Sequence, residues 1–164
     1  MRILASLVLT LLLVACGDKY DANLAGPDPV PAKHADWRSY GDMADFEMLV
    51  DVNSITHEDE ADKGSPKYTY VWMWQKFKQD EIDGQSKGKY RNKYTRQAID
   101  CPSGRMAGIA VELRDADDLK VARYDVPGYQ WEFADQEPNS YGADFVRQVC
   151  KIMTDKAAKP ADAS

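Results

Sequence analysis

Lys67-Tyr-Thr-Tyr-Val-Trp-Met-Trp-Gln-Lys-Phe-Lys78 decides the fold of this 164-residue chain. It is rich in β-branched and aromatic residues, contains no glycine or proline, and is apolar on both faces, as the central strand of a sheet requires. Alternation puts Tyr68, Tyr70, Trp72 and Trp74 on one face and Val71, Met73 and Phe77 on the other.

Strand patterns continue on both sides. Upstream, Phe46, Met48, Val50 and Val52 alternate with Glu47, Leu49, Asp51 and Asn53. A polar, acidic loop follows from Thr56 to Lys67. Downstream, a second acidic loop over roughly 79–88 leads to a strand over 89–100 that is polar but supplied with Tyr and Thr. Pro102-Ser103-Gly104 marks a tight turn. Arg105 to Arg114 places Ala107, Ile109, Val111 and Leu113 on one face, and Leu119 to Val126 makes a further short strand.

Strands in succession with short turns imply an antiparallel meander with one face on a core and one on water. The covering element is a helix near the end of the chain. Asn139 or Ser140 caps it, Asp144 lies in its first turn, and Phe145, Val146, Val149, Cys150 and Met153 recur at helical spacing. The expected fold class is therefore α+β: five to six antiparallel strands with a C-terminal helix packed on one face.

The N-terminus has a different character. Arg2 is followed by an apolar run, too short to span a bilayer, that ends in Leu13-Val-Ala-Cys16. This resembles the lipobox of bacterial lipoproteins, in which the cysteine is acylated and becomes the new N-terminus. It implies a signal peptide over 1–15 and lipidation, palmitate included, at Cys16. Asp18, one place beyond the position that resembles an inner-membrane retention signal, favours the outer membrane of a Gram-negative bacterium. Residues 16–36 then read as the lipidated cysteine and a proline-containing flexible tether, 37–154 as the domain and 155–164 as a disordered tail.

Cleavage before Cys16 leaves 149 residues with 20 basic against 27 acidic side chains, enough for one domain. An acidic chain with no basic stripe is not expected to bind nucleic acid, and the anchor rather than surface charge must hold it at a membrane. With Cys16 lipidated, Cys101 and Cys150 remain. In an exported protein such a pair reads as a disulfide, the alternative being two buried thiols.

Nothing in the chain reads as catalytic. His34 falls in the tether and His57 in a loop, and no nucleophile elbow, phosphate loop or zinc-protease pattern is present. His57-Glu-Asp-Glu-Ala-Asp62 lacks the calcium-loop spacing and reads as a solvated acidic loop rather than a metal site. The chain is expected not to be an enzyme and to need no cofactor. The candidate binding face is aromatic: Tyr70, Trp72 and Trp74, with Tyr90 and Tyr94 beside them and Arg91, Lys93 and Arg96 as polar contacts. The competing reading is a second, minor core beneath the loops.

Trp37, the Asp51-Val-Asn-Ser-Ile55 strand, Val71-Trp72, a Tyr-Arg strand running into Ile99-Asp100-Cys101, Trp131 to Pro138 and Val149-Cys150 occur in an order that resembles the surface-adhesin protein E family. The match covers roughly residues 37–152, and the Trp131–Pro138 interval is one residue longer than the family's pattern. The resemblance implies a six-stranded antiparallel sheet with a helix, two cysteines in matching places, and a non-catalytic module binding host or envelope proteins, with haem as a possible ligand. The alternatives are a periplasm-facing structural or assembly lipoprotein and a haem or small-ligand binding module.

Overall fold

The computed structural model describes residues 29–57 and 68–157. The expected signal peptide, Cys16, the first part of the expected tether, most of the acidic stretch after His57 and the last seven residues lie outside this range. One sheet carries six antiparallel strands in sequence order: β1 (Trp37–Asp42), β2 (Phe46–His57), β3 (Thr69–Ile82), β4 (Lys89–Asp100), β5 (Arg105–Arg114) and β6 (Lys120–Asp125). A short 3-10 turn (Gly128–Gln130) precedes helix α1 (Tyr141–Ala157). The α+β meander is as expected, with β3 central and its partners β2 and β4 nearly as long.

Four features differ from expectation. β1 has no clear alternation to announce it, yet pairs with β2 along its length. β3 continues to Ile82 through what reads as loop, and α1 runs to Ala157 through the first residues of the supposed tail. His57 closes β2 rather than lying in a loop, its Nδ1 3.3 Å from the Thr69 hydroxyl.

The helix side of the sheet is an aliphatic core. Met48, Val50, Ile55, Val71, Met73 and Ile99 from the strands meet Phe145, Val146 and Val149 from α1. Of the two candidate caps, Ser140 takes the role: its hydroxyl accepts the Ala143 N–H at 3.1 Å, a contact that contributes about 1 kcal/mol. Asn139, at φ 62°, makes the bend before it. Asp144 in the first turn accepts a 2.7 Å hydrogen bond from the Tyr40 hydroxyl and so ties β1 to the helix. A Cβ at Gly41 would lie 2.3 Å from the Tyr141 hydroxyl, so that ring packs directly over the strand backbone there. The Cys101–Cys150 disulfide, with Cα atoms 5.7 Å apart, fastens the helix to the β4–β5 turn, where Gly104 adopts φ 73°.

Every strand pair carries a register shift, and those in β2 and β5 decide which residues build the cores. In β2, Asp51 pairs with Trp72 and Thr56 with Tyr70, so five steps on one strand match two on the other. Side chains replace the missing ladder bonds: the Ser54 hydroxyl accepts the Trp72 N–H and donates to the Asp51 carbonyl, both at 2.8 Å. Asp51 Oδ1 accepts the N–H groups of Asp36 and Asn53. This is why Val50 and Ile55, an odd interval apart, share the helix-side core. In β5, Arg96 faces Ala110 while Gln97 faces Gly108, leaving Ile109 extra. The single face expected from Ala107, Ile109, Val111 and Leu113 is therefore broken. Ala107 and Ala110 turn to the side away from the helix, and Met106 joins the helix-side core.

Candidate functional site

The face of β3 turned away from the helix is aromatic, as expected, but it is not open. Trp72 is 0% exposed, and Tyr70 and Tyr94 are buried. Together Trp72, Tyr94, Ala110 and Val30 form a second core flanked by Trp37 and Trp74. Two segments cover it. At one end residues 29–36 lie as a strap across the rings, with Val30 7% exposed. Residues 29–36, expected to be flexible tether, thus pack on the domain. At the other end the segment after β6 folds back: Trp131 donates its indole N–H to the Val126 carbonyl at 2.8 Å. Phe133 stacks on Tyr68 at 4.7 Å, and Ala134 bridges to Met106.

Within this core the residues of the candidate face separate. Trp74 stacks on Tyr94 at 5.3 Å, and Trp37 closes edge-on against Trp74 at 5.6 Å. Their polar atoms are served: the Trp74 indole N–H donates to Asn92 Oδ1 at 3.0 Å, Asn92 donates to the Asp115 carbonyl at 2.7 Å, and the Tyr94 hydroxyl bonds Asp118 at 3.2 Å. Tyr90 leaves the group, its ring meeting Phe77 edge-on at 5.6 Å. Of the three basic residues, strand alternation leaves only Arg96 on the aromatic side. Arg91 instead pairs with Asp80 at 2.8 Å.

Beyond Tyr94 sits a buried ionic group. Glu112 accepts from Arg114 at 2.7 Å and from Arg123 at 2.9 Å. Burial alone would raise the Glu112 carboxyl, but hydrogen bonds from the two guanidiniums and their charges hold it below the usual carboxylate range. Its contribution to stability is therefore present above the unfolded-state pKa and is lost as the pH falls through the lowered native-state pKa.

Arg96 is the polar centre of the aromatic face. It is 8% exposed, with its guanidinium 5.3 Å from the Tyr70 ring centroid and 5.8 Å from that of Trp72, a cation–π arrangement that fixes its plane. Beside it the Trp72 indole nitrogen is buried with no hydrogen-bond partner among the described residues, a state that costs about 1–3 kcal/mol. Arg96 and Trp72 both line a cleft of about 330 Å³ between the strap and the β2 bulge. Pro29, Pro31, Ala32, Lys33 and His34 form one wall, and Asp51, Asn53, Ser54 and Thr56 the other. The His34 carbonyl accepts the Asn53 side-chain amide at 2.8 Å, and the Asp36 N–H donates to Asp51 at 2.8 Å, so the strap is pinned at its C-terminal end. Sequence reasoning placed His34 in a tether and missed Val30. The one available signal was an isolated β-branched residue between two prolines.

No protein-family model matches the chain, and no curated protein matches it. Among solved structures it is similar to protein E from non-typeable Haemophilus influenzae, with a TM-score of 0.47 and 12% identity over 77% of this chain and 81% of that one. At that distance no residue role is carried over.

Proposed function

We propose that this chain is a lipid-anchored protein of the cell envelope, held at the outer membrane through Cys16, whose sheet domain binds another macromolecule and performs no catalysis. The observation that carries the reading is Leu13-Val-Ala-Cys16 at the end of a short apolar run. The Cys101–Cys150 bond supports it, since such bonds persist in oxidising compartments outside the cytosol. The binding half of the reading rests on the sequence resemblance to surface adhesins.

Cys16→Ser is expected to move the protein from the membrane pellet to the soluble fraction while leaving the thermal midpoint of the domain unchanged. A variant that still sediments with membranes, or that fails to fold, contradicts the assignment of the three cysteines. Protease shaving of intact cells then gives the leaflet. Digestion of the domain supports an adhesin on the surface, and survival until the outer membrane is permeabilised replaces that role with one inside the periplasm.

A further inference from the structure

We propose that the Cys101–Cys150 bond is a site of thiol–disulfide exchange with a protein dithiol, opened by attack on Cys150, with the Thr69 hydroxyl receiving the Cys101 thiolate. The inference depends neither on the anchor nor on the macromolecule proposed to bind the sheet domain.

The bond is reached from the surface. Cys101 and Cys150 are both half-buried, and they line a cleft of about 450 Å³ between the β4–β5 turn and α1. Ser103 and Gly104 form its turn side, and Ala143, Val146 and Arg147 its helix side. A thiolate entering this cleft meets the cysteine pair without any opening of the sheet.

Behind the bond the surroundings are polar. The Thr69 hydroxyl lies 3.6 Å from Cys101 Sγ, and His57 Nδ1 lies 3.3 Å from the same hydroxyl. Thr69 is 2% exposed, and its side chain hydrogen-bonds no other group among the described residues. A disulfide sulfur carries no hydrogen, so the hydroxyl is the donor in that contact. His57 then serves the hydroxyl oxygen through an Nδ1–H. Sulfur in a disulfide is a weak acceptor, whereas a thiolate is a charged and strong one. The buried hydroxyl is therefore placed for charge that arrives on Cys101 as the bond opens, rather than for the resting bond. Stabilising one leaving sulfur sets the direction of exchange: Cys101 leaves and Cys150 is attacked.

The chemistry has two steps. The electron pair of the incoming thiolate forms a bond to Cys150 Sγ, and the pair of the old bond leaves on Cys101 Sγ, where Thr69 donates to it and solvent protonates it. The partner's second thiolate then attacks its own bridged sulfur, and Cys150 leaves and is protonated. The dithiol loses two electrons and two protons, and the cysteine pair gains both. Exchange frees α1 just beyond its buried residues Phe145, Val146 and Val149, so it loosens the helix and leaves the sheet in place.

The test uses the full chain extracted from membranes in detergent, with free thiols blocked beforehand. Dithiothreitol is expected to open the bond in native buffer at a rate proportional to its concentration, with the circular dichroism of the sheet retained. Glutathione stops at the mixed disulfide. Rapid alkylation and mass spectrometry should find it on Cys150, with Cys101 as the free thiol. Thr69→Val slows opening about tenfold or more, Thr69→Ser keeps most of the rate, and His57→Ala falls between. The proposal is overturned if the bond opens only in denaturant at the rate of unfolding, if glutathione sits on Cys101, or if Thr69→Val opens as fast as the parent. Where Thr69→Val fails to fold, the position of glutathione on the unmutated protein decides.

Discussion

Trp72→Ala is expected to destabilise the domain by about 3–5 kcal/mol, lowering its thermal midpoint by on the order of 10 °C. The side chain is fully buried and bridges three groups: the strap through Val30, β5 through Ala110 and the stacked rings through Tyr94. Removing it leaves a cavity that the sheet cannot close, because the Trp72 backbone is held by the Ser54 hydroxyl on one side and by β4 on the other. Trp72→Phe separates packing from polarity. It keeps most of the ring volume and deletes the unpartnered indole N–H, so its cost should be a small fraction of the alanine cost. Equilibrium denaturation of both variants reads the difference. Equal losses would show that the indole nitrogen has a partner after all, and a Trp72→Ala protein as stable as the parent would show that the aromatic side is no core.

Opening the Cys101–Cys150 bond has the second-largest expected effect. The bond closes a loop with a sequence separation of 49, which stabilises by roughly 2–4 kcal/mol through the chain entropy removed from the unfolded state. The native helix also feels its loss. Only Phe145, Val146 and Val149 of α1 are fully within the aliphatic core, and Cys150 follows directly on that stripe. The Cys101→Ala, Cys150→Ala double variant should therefore melt at a lower temperature, with amide exchange rising first in α1 and the β4–β5 turn. An unchanged midpoint, or exchange rising uniformly across the sheet, would mean that the helix is held by packing alone.

Much of the scaffold could be read from local periodicity because local periodicity produces it. Lys67–Lys78 alternates two apolar faces and is central. The Phe145–Met153 stripe repeats at helical spacing and packs on the sheet. Where the reading failed, the determinant was a distant contact. β1 has little alternation of its own and is a strand because β2 offers it hydrogen bonds. The β2 bulge depends on Asp51 and Ser54 replacing ladder bonds with side chains, and the parity change it imposes is invisible to a period-2 count.

The candidate binding face shows the same limit. Alternation correctly put Trp72 and Trp74 on one side of β3, and the register placed Tyr94 beside them. Alternation reports which side a residue takes, not what lies over it. Two segments remote in sequence, one around Val30 and one around Trp131, turn that side into a core. What survives of the expected surface is the cleft at Arg96, with a polar floor rather than a display of rings. Cys16 belongs to a different kind of legibility. The role proposed for it would be read by processing enzymes from the linear chain and would need no fold.

That role is also the most direct point of test. Mass spectrometry of the N-terminal peptide from protein extracted out of membranes is expected to give a peptide beginning at Cys16 and carrying acyl chains. A peptide that begins elsewhere, or an unmodified Cys16, would contradict the lipid-anchored envelope protein proposed here.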